Sequence, residues 1–321
     1  MLYRLLKIPA KLAFLIWCRH LYINKKEILN AEGPLLIASN HPNSFLDAVL
    51  LCTIFKRPIY SLARGDAFTN KFFGKILRSL KMFPVYRISE GKENLEENYN
   101  TFDECINVFK KNGIVLIFSE GLCVNEWKLR PLMKGTARLA LSAWGQGIDL
   151  KVLPLGINYN SFRRFGKNVI LNFGSIMKMK DFSFNENNTS GEKIQSINRL
   201  LKDQLQNMVI ETEASDARKM SVLFEKKVSV LKRILFFIPA CCGYILNAPL
   251  YLPIQKFAYK KFGRIDHYNS VLVGMLFLCY PFYLTVISLL VYFLFGSWWC
   301  MSVFLLVPFT AWSLVQLKHQ G

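Results

Sequence analysis

Two long stretches without a charged side chain dominate the C-terminal part of this 321-residue chain. The stretches cover 270–294 and 298–317, and a helix needs about 20 apolar residues to cross the hydrocarbon core of a bilayer. Because only 295–297 separate them, they predict a tight transmembrane hairpin with both ends on one side of the membrane. The alternative is a pair of helices buried in the protein's own core, but no periodic polar residue interrupts either stretch.

Positive charge is concentrated before this hairpin. The chain has 41 Lys and Arg against 22 Asp and Glu, a net charge of +19, and Lys318 is the only charged residue from 269 onward. The first stretch is preceded by Lys256, Lys260, Lys261 and Arg264. Basic flanks of this kind place both ends of the hairpin in the cytoplasm. The charge suits an anionic membrane surface or a negatively charged substrate, and its distribution matches no nucleic-acid motif.

Further segments divide the rest of the chain. Basic and apolar residues over 2–22 have the spacing of an interfacial helix, although a helix packed on the protein's own core explains them equally well. Residues 234–255 carry no charge, but Pro239, Pro249 and Pro253 predict a broken, re-entrant or surface-lying segment. The predicted regions are an N-terminal membrane-associated helix (1–30), an α/β domain (31–180), a helical basic extension (181–233), the apolar broken segment (234–268) and the transmembrane pair (269–321).

Short apolar runs alternate with helical patterns between 34 and 172. This alternation predicts an α/β domain with a mixed, largely parallel sheet flanked by helices. The predicted strands are Leu35–Ser39, Ile59–Ala63, Phe83–Tyr86, Ile114–Phe118, Val152–Ile157 and Val169–Asn172, and the predicted helices are Phe45–Phe55, Lys71–Leu80, Leu95–Lys111 and Gly135–Trp144.

Of the four histidines, only His41 falls in a loop between a predicted strand and a predicted helix. Such loops carry the catalytic groups of many α/β enzymes. If Ser44 caps the helix, Asp47 occupies its third position, points back toward His41, and can fix the imidazole tautomer. The competing interpretation is a capping box of Ser44 and Asp47 with His41 as a turn residue, and the segment taken alone favours it.

Four segments occur in the order found in one enzyme superfamily. Residues 39–48, SNHPNSFLDA, resemble the first motif of the glycerolipid acyltransferases, with five residues between His and Asp where the usual motif has four. The longer spacing resembles a subgroup related to fungal glycerol-3-phosphate acyltransferases and their bacterial counterparts. The later segments are FPVYR at 83–87, FSEG at 118–121 with Ser119 in place of the usual proline, and VLPLG at 152–156. Residues 132–137, LMKGTA, also resemble the helix start that follows the third motif.

The resemblance implies roles for individual residues. His41, oriented by Asp47, would act as the general base that removes the proton of an acceptor hydroxyl. Arg87 would contact the acceptor's phosphate and Lys134 would add positive charge, although both also fit solvated surface positions. Glu120 and Gly121 would orient the glycerol hydroxyls. No role is assigned to Arg64, because it can pair with Asp66.

Together these features predict an integral membrane enzyme with its active site on the cytoplasmic face. It would move a fatty acyl group from a thioester of coenzyme A or acyl carrier protein to a hydroxyl of lysophosphatidate or glycerol 3-phosphate in phospholipid biosynthesis. No metal or other cofactor is expected, and the eight cysteines contain no CxxC pair. The alternatives are an acyltransferase for another lipid such as an aminolipid, and a non-catalytic membrane lipid-binding protein with the same fold.

Overall fold

A seven-stranded sheet forms the centre of the protein. The computed structural model describes residues 1–86, 95–185, 187–213, 216–296 and 298–318. The strands are β1 (Cys18–Ile23), β2 (Leu35–Ser39), β3 (Ile59–Arg64), β4 (Met82–Val85), β5 (Ile114–Phe118), β6 (Lys151–Tyr159) and β7 (Lys167–Phe173). They lie in the order β1-β7-β6-β2-β5-β3-β4. All neighbours pair in parallel except β6 and β7, which confirms the predicted mixed, largely parallel sheet.

Helices cover both faces of this sheet. The helices before the apolar C-terminal part are α1 (Leu2–Trp17), α2 (Phe45–Ile54), α3 (Lys71–Ser79), α4 (Leu95–Lys110), α5 (Gly135–Gly145), α6 (Ser190–Met208) and α7 (Ala217–Phe224). Successive strand residues point to opposite faces, so β2 supplies two cores. Leu36 and Ala38 pack with α4, α5 and α6, whereas Leu35 and Ile37 pack with α1 and α2.

The N-terminal segment differs from the prediction at its end. The helical pattern was expected to continue to residue 22, but α1 ends at Trp17 and 18–23 form β1. The partner of β1 is β7, about 150 residues later in the chain, and local helical spacing carries no information on that pairing. One side of α1 packs on the sheet through Phe14 and Trp17. Its other side exposes Leu5, Ile8, Leu12 and Leu15.

Three C-terminal helices are long and apolar enough to cross a membrane. They are α8 (Val230–Phe262), α9 (Tyr268–Phe295) and α10 (Val303–Leu317), the last extended at its start by a short 3₁₀ helix from Trp298. The chain turns between α9 and α10 at Gly296, whose φ is 58°. The start of α9 contacts the α/β body through His267, and the Lys318 carbonyl after α10 accepts a hydrogen bond from Arg19. Both ends of the predicted hairpin therefore lie against the body.

Helix α8 corrects the prediction of a broken segment. Residues 234–255 lie inside one continuous helix despite Pro239, Pro249 and Pro253. A proline within a helix removes one hydrogen bond, and neighbouring side chains can satisfy carbonyls in such a region. Pro249 leaves the Ile245 carbonyl without its amide donor, and the nearby carbonyls of Leu246 and Gly243 accept from Tyr283 of α9 and from the Asn247 side chain.

The same helix packs on α9 and α10 and is joined to the body at a few points. Near its start, Lys232 donates to Gln316, which in turn contacts the Arg19 carbonyl of β1. In its second half, Tyr251 makes an edge contact with Phe165 of the β6–β7 loop, with ring centroids 5.8 Å apart. The turn after its end contacts the loop that follows β5. The helix therefore contacts the body directly through Tyr251 and is linked to it elsewhere through Gln316 of α10 and through the turn before α9.

Candidate active site

The carboxyl ends of β2 and β5 meet at the site, and β2 lies near the middle of the sheet. The loop that leaves β2 is fixed first through Asn40. Its side chain accepts from the Ile157 amide at 2.8 Å and donates to the Ile157 carbonyl at 3.0 Å, so β6 holds the loop by two hydrogen bonds. This places His41 at the edge where ligands bind in parallel α/β sheets.

His41 and Asp47 are in direct contact. His41 Nδ1 lies 3.0 Å from Asp47 Oδ2, and Asp47 is the third residue of α2 and fully buried. The same oxygen accepts from the Asn43 amide at 2.8 Å, and Oδ1 accepts from the Tyr159 hydroxyl at 2.7 Å. A carboxylate held by these donors fixes the imidazole with its proton on Nδ1 and leaves Nε2 as the basic nitrogen. The imidazole also stacks on Phe118 at 3.7 Å between ring centroids.

Ser44 occupies the N-cap position of α2, as both sequence interpretations expected, but its side chain does not form the cap. Its side chain makes no capping hydrogen bond, and its φ of 53° lies in the left-handed region. The hydroxyl instead lies 2.8 Å from Nδ1 of His267, at the start of α9. The Ser44 amide donates to the Cys123 sulfur at 2.9 Å. The local sequence pattern predicted a side-chain cap on α2. The hydroxyl instead contacts a residue 223 positions away.

Glu120 supports the backbone around the site. Its Oε2 accepts from the His41 amide at 2.8 Å, and its Oε1 accepts from the Arg130 amide at 2.9 Å. Burial raises the pKa of Glu120, and these two amide hydrogen bonds oppose that shift. The sequence predicted that this carboxylate orients substrate hydroxyls, whereas in the structure both of its oxygens hold protein backbone. Gly121, at φ 65°, comes so close to Met133 that a Cβ would lie 2.9 Å from its Cγ.

The residue between Phe118 and Glu120 replaces the proline of the resembled motif. The Ser119 amide donates to the Ser39 carbonyl at 2.7 Å, which a proline nitrogen cannot do. Its hydroxyl lies 2.9 Å from that of Thr136 in α5. Ser119 therefore ties the end of β5 to both β2 and α5.

The structure describes two of the three cationic residues considered in the sequence analysis. Lys134 immediately precedes α5 and is exposed, and Arg87 lies outside the described residues. Arg64 pairs with Asp66 at the exposed end of β3, as its spacing allowed.

An apolar cavity of about 560 Å³ reaches the pair of His41 and Asp47 from the side of the helices. His41 and Phe118 lie on its wall, with apolar residues of α1, α2, α3 and α9 such as Ala10, Leu77 and Phe277. A cavity of this size and lining accepts a hydrocarbon chain or another apolar group of similar volume. The site thus combines a hydrogen-bonded base with an apolar compartment.

A second layer behind Asp47 was missed by the sequence reasoning. Tyr159 ends β6, just after the fourth motif, and that position was its only signal. Lys167 is fully buried beside it, with Nζ 5.4 Å from the Tyr159 ring and 5.0 Å from the Trp17 ring. Burial lowers the pKa of Lys167 to about 7, while the nearby negative charge of Asp47 opposes the shift.

Comparisons with known proteins agree with the motif region. The sequence profile of the family described as Acyltransferase matches residues 20–158. Over 119 residues the chain is 29% identical to the 1-acyl-sn-glycerol-3-phosphate acyltransferase of Bacillus subtilis (strain 168), which covers 37% of this chain and 55% of that protein. The chain therefore matches about half the length of this curated relative.

A solved structure is also similar. It is the crystal structure of the 1-acyl-sn-glycerophosphate (LPA) acyltransferase PlsC from Thermotoga maritima, with a TM-score of 0.43 and 15% identity over 65% of this chain and 74% of that chain. The profile match includes all six residues named from the sequence as site residues. The sequence matches support the acyltransferase superfamily; they do not test the resemblance to the fungal-type subgroup.

Proposed function

We propose that this protein is a membrane-bound acyltransferase that transfers a fatty acyl group from a thioester to a hydroxyl of a phosphorylated glycerol lipid. The observation that carries the proposal is the hydrogen-bonded pair of His41 and Asp47 beside a large apolar cavity. The base suits the hydroxyl, and the cavity suits the acyl chain. The similarity to an enzyme named for 1-acyl-sn-glycerol-3-phosphate makes lysophosphatidate the first acceptor to test.

The reaction needs a base and a way to stabilise negative charge. His41 Nε2 takes the proton of the acceptor hydroxyl as the oxygen attacks the thioester carbonyl, a contribution of about 10²- to 10⁴-fold. The thiolate then leaves as the tetrahedral intermediate collapses, and the imidazolium returns the proton to it. Asp47 stabilises the imidazolium through the contact at Nδ1. No covalent enzyme intermediate is required, because the thioester is already activated.

The start of α2 is the proposed site of oxyanion stabilisation. Phe45 and Leu46 lie on the cavity wall, and the Ser44 side chain does not occupy the amides of this first turn. Amides at a helix start attract negative charge. Arg87 and Lys134 remain the proposed partners of the acceptor's phosphate.

The apolar helices support attachment to a membrane. Three of them have the length and composition to cross it, and α1 exposes a further apolar face that includes Leu5 and Ile8. We place the active site on the cytoplasmic face because basic residues flank the hairpin on the side of the body. Reaction with membrane-impermeant reagents in oriented vesicles tests that side.

The direct test is transfer of a labelled acyl group by the purified full chain in detergent. Lysophosphatidate and glycerol 3-phosphate are compared as acceptors, with acyl-coenzyme A and acyl carrier protein as donors, for the wild type and His41→Ala. We expect transfer to lysophosphatidate that His41→Ala abolishes while the protein stays folded. Transfer to glycerol 3-phosphate alone would change the acceptor, and absence of transfer to both from folded protein would remove the proposed function.

A further inference from the structure

We infer that His267, at the start of the apolar helix α9, is a positioning residue that holds the catalytic loop in its active geometry. This inference rests on the proposed function for its kinetic test but on contacts alone for its structural test. It makes the membrane hairpin part of the active site as well as an anchor.

Ser44 has a rare backbone conformation. Its φ of 53° is one that residues with a Cβ rarely adopt, and its side chain has given up the capping position on α2. Such a conformation persists only where surrounding contacts hold it. Ser44 lies three residues from both His41 and Asp47, so a change in its backbone alters the register of the pair.

Two side chains from the start of α9 hold Ser44 and its neighbour Asn43. His267 Nδ1 lies 2.8 Å from its hydroxyl, and Ser270 donates to the Asn43 carbonyl at 3.3 Å. Both come from the first turn of α9 or its cap. The contacts act on two consecutive residues of the loop, which fixes its position and its rotation.

The turn between α8 and α9 also holds a second loop, the one that follows β5. Asp266 accepts from the Asn125 amide at 3.1 Å, and the Asn125 side chain donates to the Pro42 carbonyl at 2.7 Å. The Val124 amide donates to the His41 carbonyl at 3.3 Å. The turn between α8 and α9 thus contacts both loops around His41. When α9 leaves its place, both loops lose these contacts and keep those made by Asn40 and Glu120.

The consequence is a coupling between the seat of α9 and catalysis. By drawing the Ser44 hydroxyl away from α2, His267 also keeps the side chain off the amides proposed for the oxyanion. Loss of the anchor allows Ser44 to relax toward an ordinary cap, which rotates the loop and covers those amides. The expected defect lies mainly in kcat, because the apolar residues of α1, α2, α3 and α9 that line most of the cavity are left in place.

The test compares His267→Ala with the double variant His267→Ala/Ser44→Gly. Glycine adopts φ near 53° without an anchor and has no side chain to cover α2, so it restores a loop that has lost only its support. Acyl transfer gives kcat and KM, and mass spectrometry of labelled peptides gives the alkylation rate of Cys123, which the Ser44 amide contacts. Ser288→Ala is the matched control, because it removes a buried hydrogen bond near the other end of α9.

We expect His267→Ala to lower kcat at least tenfold with KM within twofold of the wild type, and to speed alkylation of Cys123. The double variant should return both values most of the way, His267→Asn should retain part of kcat, and Ser288→Ala should change neither. The inference is overturned if His267→Ala behaves like the wild type, or if Ser44→Gly fails to restore the loop. If the wild type transfers no acyl group, the proposed function fails, and the Cys123 measurement still decides whether His267 anchors the loop.

Discussion

The two ends of α9 lie in opposite surroundings. At its start, Asn269 and Ser270 are polar, yet each is only 1% exposed. Toward its other end and in the turn that follows, Phe293 is 80% and Trp298 82% exposed. In water the first arrangement is costly and so is the second. One helix therefore has two kinds of surroundings, with a protein site at its start and an exposed apolar surface, suited to lipid, at its far end.

Burial and exposure have different meanings at the two ends of α9, because the surroundings of the two ends differ. At the start of α9, the buried Ser270 makes a specific contact, because its hydroxyl donates to the Asn43 carbonyl. An exposed aromatic residue at the far end marks an interaction surface, and the length and composition of α9 suit lipid as the partner. The predictions below change one environment at a time.

The largest effect is expected at the protein end. Asp47→Asn removes the negative charge that stabilises the imidazolium while keeping the side-chain size. We expect transfer to fall by about 10²- to 10⁴-fold, with no change in the fraction of protein found in membranes. Single-turnover transfer and membrane flotation measure the two quantities. Equal loss of both would mean that the substitution unfolds the protein.

A charge at the lipid end tests the other environment. Leu289 is about half exposed on α9, and an arginine at the centre of a membrane helix costs about 2.5–3.5 kcal/mol on insertion scales. Leu289→Arg should therefore reduce insertion of the hairpin, measured as the fraction resistant to alkaline extraction, with Leu289→Met as the control. Full insertion of the arginine variant would argue that this face of α9 contacts protein or water.

A smaller effect is expected behind the catalytic pair. Tyr159→Phe removes the hydroxyl that donates to Asp47 Oδ1 and leaves a buried carboxylate oxygen without that donor, which corresponds to about tenfold in transfer rate. Tyr22→Phe on the exposed part of β1 is the matched control. If both variants keep full activity, Asp47 does not need its support from β6.

The smallest effect is expected for Lys167, whose amine is fully buried among protein groups. Its folded pKa of about 7 lies below the usual value of 10.5, so between these values the unfolded chain binds more protons and stability rises with pH. Lys167→Met should flatten that rise, which is at most about 1.4 kcal/mol per pH unit. Thermal unfolding at pH 7–9 measures it, with exposed Lys202→Met as the control. An unchanged slope would show that Lys167 is protonated in the folded state.

Much of the fold was predictable because it depends on local patterns. The strands β2 and β5 were predicted to the residue, since short apolar runs ended by turn residues fix both their length and their type. Strand β1 was missed because it depends on pairing with β7. The continuity of α8 was missed because α9 and α10 pack against it, and the positions of its prolines carry no information on that packing.

The site divides in the same way. The contact between His41 and Asp47 followed from the third position of α2, which is local geometry. The conformation of Ser44 did not, because the decisive contact comes from His267. Glu120 was recognised from its motif, but its backbone partners His41 and Arg130 were not, since no pattern indicates which amides a buried carboxylate will bind.

The long separation between Ser44 and His267 sets an order of events during synthesis. The ribosome completes the strands of the sheet well before it makes the turn that precedes α9. Until that turn arrives, the loop at His41 has its base and its carboxylate but not its anchor. On the proposed role of His267, the newly made body lacks its full activity until α9 has been made and has taken its place against the loop at His41.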